Sequence, residues 1–292
     1  MVDPNFMLIG AQKCGTSWLA AMLKQHPEIY VPEKKELHFF NVNSNYARGI
    51  EWYRKQFEGW AGQPRVGDCT PAYLWERDAT EAFQNTFRNH DQSPISFSTH
   101  DFLNRNNAKR VWRHYPDLKL IVTLRDPVQR SISGFMHSIR ARRISPRSRI
   151  LDVCGQHGIL EMSIYYQQLM EWMKFFPKEK FLFLVYEEDI RRNKSETLRK
   201  VFRHLEVDPD FDAVNPEVTH NERACNLYMY LNYYAPWLPS GRLNRISALR
   251  RYNFPTIRVT DSDRAKLYDF FRPEYSRLEE LLGRSLAVWE PG

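Results

Sequence analysis

The chain has 292 residues, of which 42% are hydrophobic and 26% are charged. These proportions are typical of folded globular proteins and exclude a chain that is mainly disordered. Lysine and arginine number 42 against 35 aspartates and glutamates, so the formal net charge is +7. This excess favours an anionic partner over a cationic one, but it is too small to require nucleic acid.

Membrane insertion, secretion and a metal or disulfide framework are not expected. No apolar run approaches the roughly 18 residues that cross a bilayer. The first apolar segment, residues 6–9, is too short for a secretory signal, so a cytoplasmic protein is expected. The cysteines are widely spaced without a CxxC pair, which predicts reduced thiols rather than a zinc site or disulfides. They are Cys14, Cys69, Cys154 and Cys225.

Apolar runs alternate with helical periodicities along the chain. Successive predicted elements are a strand at 6–9, a helix at 16–25, a strand at 118–124, a helix around 132–139, a strand at 181–186, a helix around 198–205 and a helix from about 261 to 282. This alternation predicts an α/β fold with a central parallel sheet flanked by helices. Because no clean linker interrupts it, we expect one domain over residues 1–292.

Three stretches lack a clear period. Residues 85–107 are polar and are predicted to be an inserted loop. Residues 140–149 contain five arginines and a proline, which indicates an exposed basic loop. Residues 226–249 are rich in Tyr, Asn and Pro.

A glycine motif follows the first predicted strand. Gly10 and Gly15 stand at the G-x-x-x-x-G spacing of a P-loop, in which backbone N–H groups converge on a phosphate at a helix N-terminus. Nucleotide triphosphatases need Lys directly after the second glycine, but Thr16 stands there and the lysine is Lys13. From these residues alone, a glycine-containing turn with a surface lysine stays an alternative.

A second candidate follows the strand at 118–124. Arg125 leaves the carboxyl end of that strand, where open α/β sheets bind ligands, and Ser133 lies eight residues on. A guanidinium can hold a phosphate with two hydrogen bonds, and a hydroxyl adds a third donor. Alternatively, Arg125 pairs with Asp126 or Glu187, and Ser133 is merely a small helix residue.

Together these motifs resemble a known family. The segment GAQKCGTSWL at 10–19 resembles the 5′-phosphosulfate-binding loop of sulfotransferases that use 3′-phosphoadenosine 5′-phosphosulfate (PAPS). The pattern L-R-D-P-x-x-R-x-x-S-x-F at 124–135 resembles their 3′-phosphate-binding element. The segments KELHFF at 35–40 and TPAYL at 70–74 are similar to the carbohydrate (heparan-sulfate type) branch. This resemblance implies a P-loop-containing three-layer fold that releases PAP and needs no metal.

The resemblance also implies roles for individual residues. Glu36 would be the general base, His38 would support it, and Lys13 would stabilise the leaving group; without the resemblance, Glu36 reads as one more charge in a solvated run. Cofactor contacts are expected at Lys13, Cys14, Gly15, Thr16, Ser17, Trp18, Arg125, Ser133, Arg250 and Arg251. The last two replace a Gly-rich basic loop of the branch, and Cys69 stands where the branch often has Lys.

The expected activity is transfer of a sulfuryl group from PAPS to a hydroxyl, with an amine as the second choice. The acceptor would be a small molecule, a lipid, a carrier-bound metabolite or a saccharide, and residues 85–107, 140–149 and 226–237 are candidates for its surface. Two rival functions are a P-loop kinase or nucleotide triphosphatase, and a polyanion-binding module that uses residues 140–149. If the natural protein begins earlier, its location would be the secretory-pathway lumen.

Overall fold

A five-stranded parallel sheet forms the centre of the molecule. The computed structural model of the chain describes residues 1–76, 106–214, 226–237 and 259–290. The strands are β1 (Phe6–Gly10), β2 (Ile29–Tyr30), β3 (Arg65–Cys69), β4 (Lys119–Leu124) and β5 (Phe181–Val185), in the order β2-β3-β1-β4-β5. All four neighbouring pairs are parallel, so the predicted parallel sheet is confirmed.

Central strand β1 is buried on both faces. Leu8 pairs with Cys69 of β3 on one side and with Ile121 of β4 on the other. Met7 and Ile9 point into one hydrophobic cluster and Phe6 and Leu8 into another, because successive side chains of a strand alternate between faces. A run of five buried residues is typical of a parallel strand covered on both faces.

Helices cover both faces of the sheet. The described helices are α1 (Thr16–Leu23), α2 (Asn43–Tyr46), α3 (Ile50–Arg54), α4 (Asn107–His114), α5 (Pro127–Arg140), α6 (Ile150–Val153), α7 (Tyr165–Met173), α8 (Lys194–Leu205), α9 (Asn226–Tyr234) and α10 (Asp261–Leu282). Helices α1 and α8 supply the cluster that contains Leu8, and α4, α7 and α10 supply the cluster that contains Ile9. The three-layer architecture predicted from the sequence is therefore confirmed.

Local sequence sets the ends of the two longest helices. Helix α5 starts at Pro127, and the Asp126 carboxylate accepts a hydrogen bond from the Val128 N–H at 2.8 Å. Helix α10 starts with a capping box in which Thr260 and Asp263 exchange hydrogen bonds. It ends before Gly283, whose φ of 67° suits a glycine C-cap.

The irregular stretches have different outcomes. Of the predicted inserted loop, residues 85–105 lie outside the described residues, and Asn107 starts α4. In the basic loop at 140–149 four of the five arginines are exposed, as predicted. Residues 226–234 form α9, whereas 238–249 lie outside the described part of the chain. A single domain over residues 1–292 stays a prediction.

No helix in the described ranges has both the length and the hydropathy for a bilayer span.

Candidate active site

The P-loop joins β1 to α1 and leaves the start of that helix open. Gly15 has a φ of 87°, and a Cβ there would lie 2.9 Å from Ile190 Cδ1 and 3.0 Å from Tyr186 Cδ2. These two residues belong to a single π-helical turn, Tyr186–Ile190, that packs on the glycine. Helix α1 has no side-chain cap from the described residues and no acidic residue in its first turn. Its first N–H groups and its positive dipole end therefore suit an anion.

Lys13 lies at the centre of a cationic cluster. Its backbone φ is 74°, which is the left-handed region. Burial and the nearby positive charges of Arg140, Arg130, Arg125 and Lys35 together lower the pKa of Lys13 to about 8. No described carboxylate lies within 4.0 Å of the Lys13 ammonium, so a bound anion would relieve the repulsion that Lys13 feels from the other cations.

Arg125 stands beside the P-loop, at the end of β4. Its Nη1 donates to the carbonyl oxygen of Lys13 at 3.4 Å, and its guanidinium lies 4.9 Å from the centre of the Tyr186 ring. Its Nε is 3.9 Å from Glu187 Oε1, so an ion pair with Glu187 does form, although no described atom is a hydrogen-bond partner of that Nε. Asp126 does not bind Arg125; it accepts from Val128 N–H and from the Tyr268 hydroxyl at 2.9 Å.

Ser133 lies in the second turn of α5 and is half-buried. Because α5 starts two residues after Arg125, the strand end and the helix turn belong to one corner of the fold. Arg125 thus lies at the carboxyl edge of the sheet, directly after the strand next to the P-loop strand, and Ser133 lies in the helix that follows.

Arg130, a residue of α5, contacts the P-loop through hydrogen bonds of its buried side chain. It is 1% exposed, and its guanidinium donates to the carbonyl oxygens of Gln12 at 3.0 Å, Gly158 at 2.7 Å and Ile159 at 2.9 Å. Arg130 belongs to the pattern at 124–135, but that pattern does not predict this role. Sequence alone does not distinguish a buried arginine from an exposed one in an amphipathic helix.

Glu36 is connected to the P-loop helix through Lys35. Lys35 Nζ donates to Ser17 Oγ at 2.5 Å and lies 3.2 Å from Glu36 Oε1. The Glu36 side chain is 29% exposed, whereas that of Glu33 is fully exposed. A solvated charge run therefore describes Glu33 but not Glu36. Lys35 was missed as a site residue because nothing in a run of alternating charges marks which lysine turns inward.

His38 and Glu36 form a hydrogen-bonded pair. His38 Nε2 lies 3.4 Å from Glu36 Oε2, and its Nδ1 lies 3.3 Å from Asn41 Oδ1. Burial acts to raise the pKa of Glu36, but the hydrogen bond from His38 and the charge of Lys35 outweigh it, so the pKa is lowered. Burial acts to lower the pKa of His38, but Glu36 outweighs it and the pKa is raised. Each partner therefore favours the charged form of the other.

A buried carboxylate supports the segment that carries this pair. Asp68 is 1% exposed and accepts hydrogen bonds from the hydroxyls of Tyr53 at 3.0 Å, Tyr73 at 2.8 Å and Thr70 at 2.6 Å. The Tyr73 oxygen in turn accepts from Phe39 N–H at 3.1 Å. Burial raises the pKa of Asp68. The sequence does not reveal this network, since Tyr53 lies 15 residues from Asp68 and Phe39 lies 34 residues from Tyr73.

Three further predicted contact residues are buried with their side chains in the protein. Cys14 is fully buried; its Sγ lies 3.5 Å from the Tyr165 hydroxyl, its N–H donates to Ala11 O, and burial raises the pKa of its thiol to about 11. Thr16 and Trp18 are buried residues of α1, and Trp18 packs in the cluster beneath it. At 0%, 4% and 5% exposure, Cys14, Thr16 and Trp18 have side chains that offer a ligand little surface.

The other residues named from the sequence are two arginines and the cysteines. Arg250 and Arg251 lie outside the described residues. Cys69 is buried at the end of β3, and burial raises the pKa of its thiol. Cys14, Cys69 and Cys154 are free thiols, whereas Cys225 lies outside the described ranges. Among the residues that the structure describes, no three His, Cys, Asp or Glu side chains gather as metal ligands.

Comparison with known proteins assigns a family to this geometry. The model of the sulfotransferase domain matches residues 3–224, which is 222 of the 292 residues. Over 140 residues, 47% of this chain and 23% of the relative, the chain is 36% identical to the membrane-associated sulfotransferase kil1 of Dictyostelium discoideum. Over 189 residues, 61% of this chain and 46% of the relative, it is 26% identical to heparan sulfate glucosamine 3-O-sulfotransferase 5 of Mus musculus.

The fold agrees with these sequence matches. A crystal structure of a sulfotransferase from Alicyclobacillus acidocaldarius superposes with a TM-score of 0.66 at 23% identity and covers 99% of both chains. The chain spans from about a quarter to about half the length of the two curated relatives named above.

Proposed function

The chain belongs to the sulfotransferase family, and we propose that it transfers a sulfuryl group from PAPS to an acceptor hydroxyl, with an amine as the second choice. The observation that carries the proposal is the position of Lys35. Its Nζ contacts both Ser17, in the first turn of α1, and Glu36. A proton acceptor thereby stands next to the anion site of the P-loop.

The residues at the sheet edge fit PAPS, which supplies the activated sulfuryl group when bound. The open N-terminus of α1 and the Lys13 ammonium match the 5′-phosphosulfate. Arg125, whose Nε lacks a described hydrogen-bond partner, and Ser133 match the 3′-phosphate. The backbone N–H groups at the start of α1 contact the 5′-phosphosulfate in this proposal, and the buried side chains of Cys14, Thr16 and Trp18 need no direct contact.

Glu36 acts as the general base in this proposal. Its ionised carboxylate takes the proton of the acceptor hydroxyl as the oxygen attacks sulfur. His38 holds Glu36 Oε2 and keeps the carboxylate ionised and oriented. Lys13 and the loop N–H groups stabilise the negative charge on the departing phosphate oxygen. Positioning and charge stabilisation therefore do most of the work, as in phosphoryl transfer.

Replacing Glu36 by Gln tests the proposal. We expect kcat to fall by about 10²–10⁴-fold, the usual contribution of a general base, while the Kd for PAP stays within about twofold. Glu33→Gln is the matched control, because Glu33 is exposed and, within the described part of the chain, its ion pair is with Lys24. Near-full turnover of Glu36→Gln would remove Glu36 as the base. If ATP with Mg²⁺ raised the Tm of the protein more than PAP does, a P-loop kinase would be favoured instead.

A further inference from the structure

Helix α9 and the basic loop, residues 140–149, form one connected surface. The Oδ1 atom of Asn232 accepts from Arg142 Nε at 3.1 Å and from Nη2 at 2.7 Å, while Asn232 Nδ2 donates to Arg140 O at 3.1 Å. Asn232 is 7% exposed. Arg142 has a φ of 61°, so these hydrogen bonds stabilise a left-handed backbone conformation that residues other than glycine seldom adopt. The sequence marked the two segments separately, and the structure joins them.

A second set of contacts fixes the outer part of the loop. The Tyr230 hydroxyl donates to Pro146 O at 3.2 Å, and the Ser145 and Tyr234 hydroxyl oxygens are 2.9 Å apart. The Arg147 guanidinium lies 5.3 Å from the centre of the Tyr234 ring, which is 45% exposed. These contacts favour this conformation of the loop in the free protein, which lowers the entropic cost of binding.

This surface carries positive charge that the described residues do not neutralise. Arg149 pairs with Asp263 at 3.4 Å, but the partner of Arg142 is the neutral Asn232. Arg143 and Arg147 are exposed, and neither has a described carboxylate within 4.0 Å. Such a fixed excess of charge attracts an anionic group.

Helix α5 connects this surface to the candidate active site. Arg130, Ser133, His137 and Arg140 recur every three or four residues and so lie on one side of the helix. At one end Arg130 contacts the P-loop carbonyl of Gln12, and at the other Arg140 Nη2 lies 3.4 Å from His137 Nδ1. From Ser133 to Arg140 the helix rises about 10 Å.

His137 shows that the two groups of charges meet on this side of α5. Burial and the charges of Lys13, Arg140, Arg143 and Arg130 together lower the pKa of His137 to about 4. Lys13 belongs to the P-loop and Arg143 to the basic loop. One histidine therefore lies within the electrostatic reach of both.

We infer that the α9–basic-loop surface binds a fixed anionic group of the acceptor, a carboxylate, sulfate or phosphate, while a hydroxyl of the same molecule reaches Glu36. Arg143 and Arg147 supply the charge, and the exposed Tyr234 ring lies beside them. This inference rests on the proposed sulfuryl transfer and narrows its acceptors to acidic molecules. It also gives the basic loop a role that cofactor binding does not use.

Matched pairs of probe acceptors test it. The first pair is 4-nitrophenyl β-D-glucuronide and 4-nitrophenyl β-D-glucoside, which differ by a carboxylate; the second is glucose 6-phosphate and glucose. Calorimetry on the PAP-saturated protein should give at least one acidic probe a Kd about fivefold below that of its neutral partner, the weight of about two exposed ion pairs. In the double variant Arg143→Ala/Arg147→Ala, the acidic and neutral probes of a pair should have about equal Kd values. The Kd of the neutral probe should be unchanged.

The control variant is Arg199→Ala/Arg203→Ala on α8, which removes the same charge where both arginines pair with Glu196. It should keep the preference for acid. Equal Kd values within both pairs in the wild-type protein, or equal loss of preference in the control, would overturn the inference. Failure to bind PAP would instead contradict the proposed function, so the two outcomes are distinguishable.

Discussion

At the scale of the single residue, Lys13 combines two opposed demands. It must carry a charge to hold an anion, yet it is partly buried among other cations. Burial and the surrounding arginines lower its pKa to about 8 in the free protein. An anion at the P-loop reverses this balance, because an opposite charge favours the protonated ammonium. Protonation of Lys13 and binding at the loop are therefore coupled.

We predict that PAP binding takes up a proton in alkaline solution. With a free-state pKa of about 8, uptake should be about 0.1 proton at pH 7 and about 0.7 at pH 8.5. The affinity for PAP should consequently fall as pH rises above 8. Calorimetry in two buffers of different ionisation enthalpy measures the uptake. The phosphates of PAP, with a second pKa of about 6, and His137, with a pKa of about 4, do not titrate in this range.

Lys13→Met supplies the control for this experiment. It should bind PAP more weakly and show no uptake between pH 7 and 8.5. Undiminished uptake in this variant would assign the proton to another group.

A second residue, Tyr73, acts on Glu36 and His38 through Phe39. Tyr73→Phe removes both the acceptor of the Phe39 N–H and a donor to Asp68. We expect it to lower the free energy of unfolding by about 1–3 kcal/mol, because buried polar groups lose a partner. We also expect kcat to fall severalfold with the Kd for PAP unchanged, since Glu36 and His38 keep left-handed backbones beside that contact.

Tyr53→Phe is the matched control, because Tyr53 also donates to Asp68 but makes no hydrogen bond to Phe39, and the variant keeps the ring that stacks on Phe39. It should destabilise the protein without changing kcat. If both variants lower kcat equally, Tyr73 has only a structural role.

At the scale of the element, the strand-to-helix corners could be predicted and the supports beneath them could not. The Gly10–Gly15 spacing and the Arg125–Ser133 pair are local patterns, so the sequence contains them whole. Lys35, Arg130 and Asp68 act through partners 18, 118 and up to 15 residues away along the chain. No local period records such contacts.

Strand detection followed the same division. Strands β1, β4 and β5 were predicted because their apolar residues are contiguous. Strand β3 was missed because it contains Gly67 and Asp68. A Cβ at Gly67 would lie 2.0 Å from the Phe6 ring, so a glycine is needed there because a side chain of the neighbouring strand β1 occupies the space. Strand β2, with two residues, is too short to show a period.

The P-loop corner also makes a stability prediction. Gly15→Ala should lower the free energy of unfolding by about 2–4 kcal/mol, from the strained backbone and from the contact with Ile190 and Tyr186. Gly283→Ala is the control, because its φ is also positive but nothing lies within 4 Å of the added Cβ. Urea denaturation measures both. Equal losses would mean that packing of the π-helical turn contributes nothing.

At the scale of the whole molecule, the C-terminal segment completes the core. Trp289 is 1% exposed, its Nε1 donates to Glu187 Oε2 at 2.9 Å, and its ring packs against Tyr165 and Tyr275. It lies in the same cluster as Ile9 of β1. Residues beyond the matched sulfotransferase domain, 3–224, are therefore part of the same hydrophobic interior.

We predict that Trp289→Ala costs about 3–5 kcal/mol in the free energy of unfolding, the usual loss for a buried aromatic side chain. Urea denaturation followed by far-UV circular dichroism measures it. Trp237→Ala, at a side chain that is 78% exposed, should stay within about 0.5 kcal/mol of the wild type. A loss at Trp289 no larger than at Trp237 would show that the C-terminal segment folds independently of the sheet.

The strand order separates the residues that we propose for the cofactor from those that we propose for the acceptor. From β1 the chain moves to one side, through β2 and β3, and from β4 it moves to the other, to β5. Such a topological switch point opens a crevice between the loops that follow the two adjacent strands. Here those loops carry Lys13 and Arg125, so the path of the chain itself creates the end that we propose for the phosphates. The surface that we propose for the acceptor is built from α9 and the basic loop, which follows the far end of α5. Engineering of acceptor preference can therefore alter that surface and leave the nucleotide end intact.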